Sequence, residues 1–396
     1  MADQHNRYRG GFPSYLSAAL GVFICSFFAV DSSKTINNFY YVFFGIPVVF
    51  FVFKNGFRWL GGVKQNLPIV MLFLHVTFVF LTKIGDPDTA FDYLKNGLYL
   101  AVLWLGLEIS YRNEKGVALL WRFVAAICFA ASLWAMAKWL VVYLHSNNAS
   151  RITLFAKASN PVHASLLILV GWLGYWFKYG FPMAIERGKS QYLATLIFVV
   201  VFAFGVCVVF QSRSGVVGLV GAILVWLLVA KHFRLAASLL AGGAAIVSLS
   251  GLYDPLMQRG GSYRAEIWLD ALQRLVGECS VLLGCPDDTN YMYAGQFNHP
   301  HSAYFSILVD SGITGAISFA AFALLYLRTS LRTGSVWFAV SMVGWGGVLA
   351  TSNGLIESPR PLWVYFWIPT FLAAIEMKQR LNAEFGSTTV EKPPPK

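Results

Sequence analysis

Charge is what this sequence has least of. Asp and Glu number 19 in 396 residues, and even with 30 Lys and Arg the charged fraction reaches only 12%. Soluble domains carry about 25% charged residues, so the chain has too little polar surface to coat a globule of its size, and the soluble class is excluded. The alternating pattern of outer-membrane strands is missing too, which excludes a β-barrel. No soluble module or long linker interrupts the chain, and no internal repeat supports an inverted-repeat transporter. A net charge of +11 comes without any basic, aromatic-interleaved module outside the apolar segments. Nucleic acid is therefore not an expected partner, and retention of positive charge on one side of a membrane explains the excess. Cysteines are few. Cys25, Cys128 and Cys207 fall in apolar runs and read as packing residues; Cys279 and Cys285 share a polar interval, where a disulfide and two free thiols both remain open.

What the sequence does have is apolar length: 57% of residues are hydrophobic and 16% aromatic. Apolar runs lie at about 13–30, 39–53, 67–81, 97–111, 117–144, 162–177, 192–210, 215–230, 235–252, 302–327, 336–352 and 361–377. These predict an all-α polytopic membrane protein of about 12 transmembrane helices, the shorter runs drawing on interfacial aromatics such as Trp59, Tyr93 and Trp337. No cleavable signal precedes the first run, which is expected to stay as a helix. Placing the N-terminus in the cytoplasm puts the larger share of Lys and Arg on that side, so both termini are expected there. The expected division is helices 1–9 over 1–252, one large extracytoplasmic loop with short amphipathic helices over 253–301, helices 10–12 over 302–378, and a cytoplasmic tail over 379–396 with a disordered Pro-rich end.

Positive charges on the far side oppose the topological bias, so Arg213, Arg259 and Arg264 are singled out. Arg213 sits in Gln211-Ser212-Arg213-Ser214-Gly215 between two helices. It reads either as an interfacial anchor that snorkels to headgroups or as an anion-binding fork beside backbone NH groups at a helix start. Residues 262–276 predict an amphipathic helix capped by Ser262, with Ile267, Ala271 and Leu275 along the apolar stripe. A cation in its first turn opposes the helix dipole, so Arg264 points to an anionic ligand there, or else to an ion pair with Glu266, Asp270 or Asp254. His299 and His301 precede Ser302 at the start of the tenth helix, where a neutral imidazole can exchange a proton near pH 7. Two histidines without a third ligand do not make a zinc site, so no metal and no cofactor is expected.

Deeper in that helix, Asp310 is a costly charge in lipid and is expected to face the bundle, in a supporting role with Gly312 and Gly315, which permit close helix packing. On one continuous helix Asp310 would lie about 13 Å from His301. Asp287 and Asp288 read as solvated turn residues or a divalent-metal pair. Arg122 and Lys138 read as snorkelling or lipid-phosphate contacts, and Arg151 and Lys157 as sources of positive field around an anionic donor.

An Arg-Ser-Gly turn between helices (Arg213-Ser214-Gly215), an Arg-bearing helix in one large loop (Arg264), and a His-Ser start to a helix running to Asp310-Ser311-Gly312-Ile313-Thr314-Gly315 resemble the O-antigen ligase and polymerase superfamily. The resemblance implies a GT-C-like membrane glycosyltransferase of the inner membrane with its site on the periplasmic face. Its ligase branch moves O-polysaccharide from undecaprenyl diphosphate to a sugar hydroxyl of lipid A-core, without metal. By that resemblance Arg213 and Arg264 hold the diphosphate and His301 acts on the acceptor hydroxyl, with Arg259, His299, Ser302, Arg151 and Lys157 as further substrate contacts. Three rivals stand beside it: an O-antigen polymerase of the same superfamily, a ligase that transfers the same glycan to a protein such as a pilin, and a polytopic lipid or glycan transporter, which would want buried charges along several helices.

Overall fold

The computed structural model describes residues 11–56, 66–146, 151–230, 238, 263–285, 291–297, 299–351 and 354–387. Outside them lie the apolar run at 235–252, Arg259, the first part of the predicted loop with Ser262, Asp287 and Asp288, and the tail beyond 387. Among the described residues the fold is all helical, apart from two isolated bridges, Ser280 with Gly284 and Tyr293 with Phe297.

The helices are α1 (Gly11–Ala29), α2 (Ser33–Asn55, with a π turn over Tyr40–Gly45), α3 (Leu67–Thr82), α4 (Pro87–Ser110) and α5 (Glu114–Ser146). Next, α6 runs through Pro161–Tyr175, a π turn at Trp176–Gly180 and Phe181–Arg187, followed by α7 (Lys189–Val209) and α8 (Arg213–Val229). After α9 (Arg264–Gly277) come α10 (Ala303–Thr333), α11 (Val336–Gly347) and α12, which joins Trp363–Trp367 to Ile368–Ser387. Every predicted apolar run within the described residues is one of these helices. Five of them, α1, α2, α5, α7 and α10, are long and apolar enough to cross a membrane; α3, α8 and α11 are shorter apolar helices. Phe53, Leu144, Val201 and Leu324 stand exposed on the outside, an inversion of soluble packing that suits lipid contact in a multi-pass membrane protein.

Two contacts set the frame for the site. Helix α8 lies so close to α11 that a Cβ on Gly218 would come within 2.6 Å of the Val343 carbonyl oxygen, so only glycine allows this approach. At one end of α6 and α12 the charges are buried in pairs. Glu376 takes Lys178 and accepts from Ser335 Oγ (2.6 Å), while Lys378 Nζ meets Glu108 Oε1 at 2.6 Å. The other end of the same two helices opens on the polar segments that form the site.

Three expectations change. Tyr263, in a left-handed conformation (φ 57°), stands at the N-cap of α9 without a side-chain hydrogen bond, where Ser262 was expected to cap. The buried stripe Ile267, Ala271 and Leu275 is as expected. Asp270 pairs with Arg274 (3.0 Å), not with Arg264. Finally, α10 is not one continuous helix: Gly312 (φ 64°, ψ −169°) kinks it. What Gly312 admits is a loop, not a helix, since a Cβ there would lie 2.4 Å from the Leu282 backbone.

That loop is closed by a disulfide between Cys279 and Cys285 and hooks onto the kink. Cys285 N donates to Val309 O (2.8 Å) and Ile313 N to Val281 O (2.9 Å), while the buried Lys83 ammonium donates to Cys285 O (2.7 Å). The backbone groups released by the kink are thus satisfied by the loop. Two outcomes follow. Denatured, unreduced protein should alkylate at Cys25, Cys128 and Cys207 and at both remaining thiols only after reduction. Gly312→Ala should lower the unfolding midpoint, reflecting at least about 1–3 kcal/mol of backbone strain before any clash; mass spectrometry and a thermal melt in detergent check the two.

Candidate active site

Helix α8 begins where it does because Ser212 caps it. Its Oγ accepts from Gly215 N (3.0 Å) and from Ser165 Oγ of α6 (2.7 Å), in a fully buried contact that fixes the α8 start against α6. Gln211, at φ 47°, makes the turn that puts Arg213 at the first helical position. Arg151 lies against the same turn, its Nε donating to Phe210 O at 3.1 Å. Lys157 is half-buried on a short 3₁₀ turn, Ala156–Ser159.

Arg264 opens α9 from the other side. The helix is docked on the histidine segment: Trp268 Nε1 donates to Pro300 O (3.0 Å), and its ring stacks on Phe305 at 4.7 Å between centroids. Tyr291 donates to Ile267 O (3.0 Å) and lies under the Arg274 guanidinium, which also reaches Met292 O at 2.9 Å. These contacts hold Arg264 in place over the bundle.

His301 has φ 53°, and its backbone NH donates to His299 Nδ1 at 3.1 Å; the two rings lie 3.9 Å apart. Because Nδ1 of His299 accepts, its proton must reside on Nε2. Phe297 packs edge-on against His301 at 5.5 Å. Ser302 follows as the N-cap of α10, completely buried, with its Oγ making no hydrogen bond among the described residues.

Arg264, His299 and His301 line one cavity of about 570 Å³. The rest of the lining comes from the start of α6 (Asn160, His163) and from the segment joining α11 to α12 (Thr351, Glu357, Arg360). Its size is in the range of small-molecule sites. Arg213 does not line this cavity, but it is near enough that its charge, after burial, pulls the Arg264 pKa down; Arg264 in turn helps burial lower that of His301. One field therefore connects Arg213, Arg264 and His301. Burial, assisted by His301, brings His299 down to about 4. Ser302, Arg151, Lys157, Asp310 and Gly315 also lie outside the cavity wall. Among the described residues no three His, Cys, Asp or Glu are gathered at metal-ligand spacing.

Five polar residues at the cavity were not selected from sequence: Asn160, His163, Thr351, Glu357 and Arg360. Arg360 did carry a signal, as a positive charge on the side that the expected orientation disfavours. Glu357 accepts from Arg360 at 2.8 Å, and burial raises its pKa against the lowering effect of that guanidinium. His163 gave no signal, because an isolated histidine at the edge of an apolar run reads as core.

No family model matches the chain. It is similar along nearly its whole length to the O-antigen ligase of Pseudomonas aeruginosa, at 24% identity over 381 residues that cover 90% of this chain and 89% of that protein.

The lowered pKa values carry a sign. Both imidazoles stay neutral in the folded protein at neutral pH, so their contribution to stability is complete above about 6.5 and is lost as pH falls toward the folded values, about 4 for His299. In NMR of ring-labelled protein His301 should protonate below 6.5, and Arg264→Met should raise its midpoint. A wild-type midpoint at or above 6.5 contradicts the coupling.

Proposed function

We propose that this chain is an O-antigen ligase: a metal-independent membrane glycosyltransferase that moves O-polysaccharide from undecaprenyl diphosphate to a sugar hydroxyl of lipid A-core, with inversion at the transferred carbon. The observation that carries the reading is the shared cavity of Arg264, His299 and His301 under the influence of Arg213. The end-to-end likeness to the Pseudomonas protein supports it.

The chemistry follows from the side chains. A glycosyl diphosphate departs with negative charge developing on the bridging oxygen, and two guanidinium forks stabilise that charge. Arg213 and Arg264 are the pair for this role, with Arg151 and Lys157 adding positive field around the anionic donor and Arg259 as a further substrate contact. His301, neutral at working pH, accepts the proton of the acceptor hydroxyl as its oxygen bonds to the anomeric carbon and the carbon–phosphate oxygen bond breaks. His299 holds the His301 backbone through Nδ1 and is positioned to contact substrate. Asp310, Gly312 and Gly315 act at a distance, through the kink that sets the direction of α10.

On this reading the chain spans the inner membrane about 12 times with both termini in the cytoplasm, and the cavity faces the periplasm. The distribution of Lys and Arg supports that orientation, as does the Cys279–Cys285 disulfide, which suits an oxidising compartment.

Reconstitution with a lipid-linked glycan and purified lipid A-core tests the reading. Wild-type protein should form core-linked glycan in the presence of a chelator. Arg213→Lys with Arg264→Lys should lose about 10²-fold or more, because lysine keeps charge but not the fork. His301→Ala should lose about 10²–10⁴-fold. Glycan extended on its own lipid carrier, with none on core, would instead identify a polymerase, and glycan moved across the bilayer without a new bond would identify a transporter.

A further inference from the structure

At the end remote from His301, α10 carries Arg328 and Arg332. They stand one turn apart on the same face, where two like charges repel and do not support the helix. The dipole of α10 accounts for a cation in the last turn, where Arg332 lies, but not for one a turn earlier. Neither arginine is needed as a cap. Gly334 N donates to Ser330 O at 2.9 Å, and the terminal carbonyls of Thr333 and Gly334 accept from Arg380. Arg328 makes no hydrogen bond or ion pair among the described residues, and Arg332 meets Glu384 only at 3.8 Å, through side chains 69% and 55% exposed.

Both arginines line a second cavity, of about 490 Å³, enclosed by the start of α3, by α10 and by α12. The rest of its lining is mostly apolar, including Leu325, Ala374, Met377 and Leu381, and among the described residues no Asp or Glu lines it. The first turn of α3, which also lines it, holds no carboxylate, so the positive end of that helix dipole adds to the two guanidinium charges. An anion that enters meets cations with no acid in the lining to compete. The neighbouring surface shows where the ligand comes from. Leu324, Leu327 and Leu331 stand exposed beside the arginines, as does Leu67 at the start of α3. In a multi-pass membrane protein such a surface meets acyl chains. Free phosphate would gain from the guanidinium groups alone, whereas a phospholipid gains from them and from the apolar wall.

We infer that this cavity binds an anionic glycerophospholipid, with its phosphate held by Arg328 and Arg332 and an acyl chain against Leu325, Met377 and Leu381. Basic pockets between membrane helices recognise anionic headgroups in this way. The site stands at the opposite end of α10 from the cavity of Arg264 and His301, so it is separate from any donor bound there. It does not depend on the glycosyl-transfer reading, which asks nothing of this end of the bundle. A lipid seated here bridges α3, α10 and α12 and should stabilise their packing.

The test uses full-length, delipidated protein in detergent, titrated separately with phosphatidylglycerol, phosphatidylcholine and inorganic phosphate. Native mass spectrometry reads binding, and a thermal melt reads stabilisation. Phosphatidylglycerol should bind and raise the unfolding midpoint. Phosphatidylcholine, whose headgroup cation cancels the phosphate charge, and inorganic phosphate, which lacks the chains, should each bind at least about tenfold more weakly. Arg328→Gln with Arg332→Gln should weaken phosphatidylglycerol binding about tenfold or more, and the corresponding double Lys variant should retain part of it, because charge stays while the fork is lost. Leu381→Trp adds bulk to the lining without changing charge and should also weaken binding, which separates a cavity from a bare cationic surface. Arg187→Gln, at an exposed arginine outside the lining, should leave affinity within about twofold. A cooperative melt without lipid shows that each variant is folded. Absence of phosphatidylglycerol binding, equal binding of phosphatidylcholine or of inorganic phosphate, or phosphatidylglycerol affinity unaltered in the folded double Gln variant or in Leu381→Trp, overturns the inference.

Discussion

The site depends on how the starts of two helices are held, those that carry Arg213 and Arg264. Arg213 and Arg264 belong to different helices, and the Arg213 charge weakens the hold of Arg264 on its proton. The contacts that fix them are specific: Ser165 and Ser212 lock the start of α8 to α6, and Trp268 locks α9 to the histidine segment.

The kink at Gly312 extends that fixation through the membrane part. A disulfide-closed loop replaces the hydrogen bonds that α10 gives up, and Lys83 of the segment after α3 fastens the loop from below. The same α10 begins at Ser302, directly after His301, so the direction of the helix and the place of the imidazole are set together. At the far end of α6 and α12, buried ion pairs around Glu376 and Glu108 hold the other side of the bundle. A rigid scaffold with one adaptable polar mouth is the usual arrangement for sites that must exclude water yet admit a large ligand.

Much of this was legible from sequence because it is local. Apolar length announces helices, the stripe Ile267, Ala271 and Leu275 announces an amphipathic one, and arginines on the side that disfavours them attract attention wherever they stand. The rest of the cavity's lining was not legible, because it depends on contacts between distant segments. His163 and Tyr365 are separated by 202 positions, and each alone reads as apolar-core filling. Glu357 and Arg360, three apart in a short loop, look like a solvated pair until α6 is packed beside them. The kink was masked for a different reason. Glycine in an apolar helix signals close packing, and whether a helix or a loop makes the approach is decided by Leu282 and Gly284, which come from another part of the chain.

Arg213 and Arg264 are proposed to share one diphosphate beside His301. A cryo-electron microscopy structure of the protein bound to undecaprenyl diphosphate measures this directly. The account predicts phosphate density between the two guanidinium groups, with His301 within reach of the space where the sugar would lie. Density held elsewhere, for instance by Arg328 and Arg332 in the cavity at the other end of α10, with the Arg213–Arg264 gap empty, would contradict it.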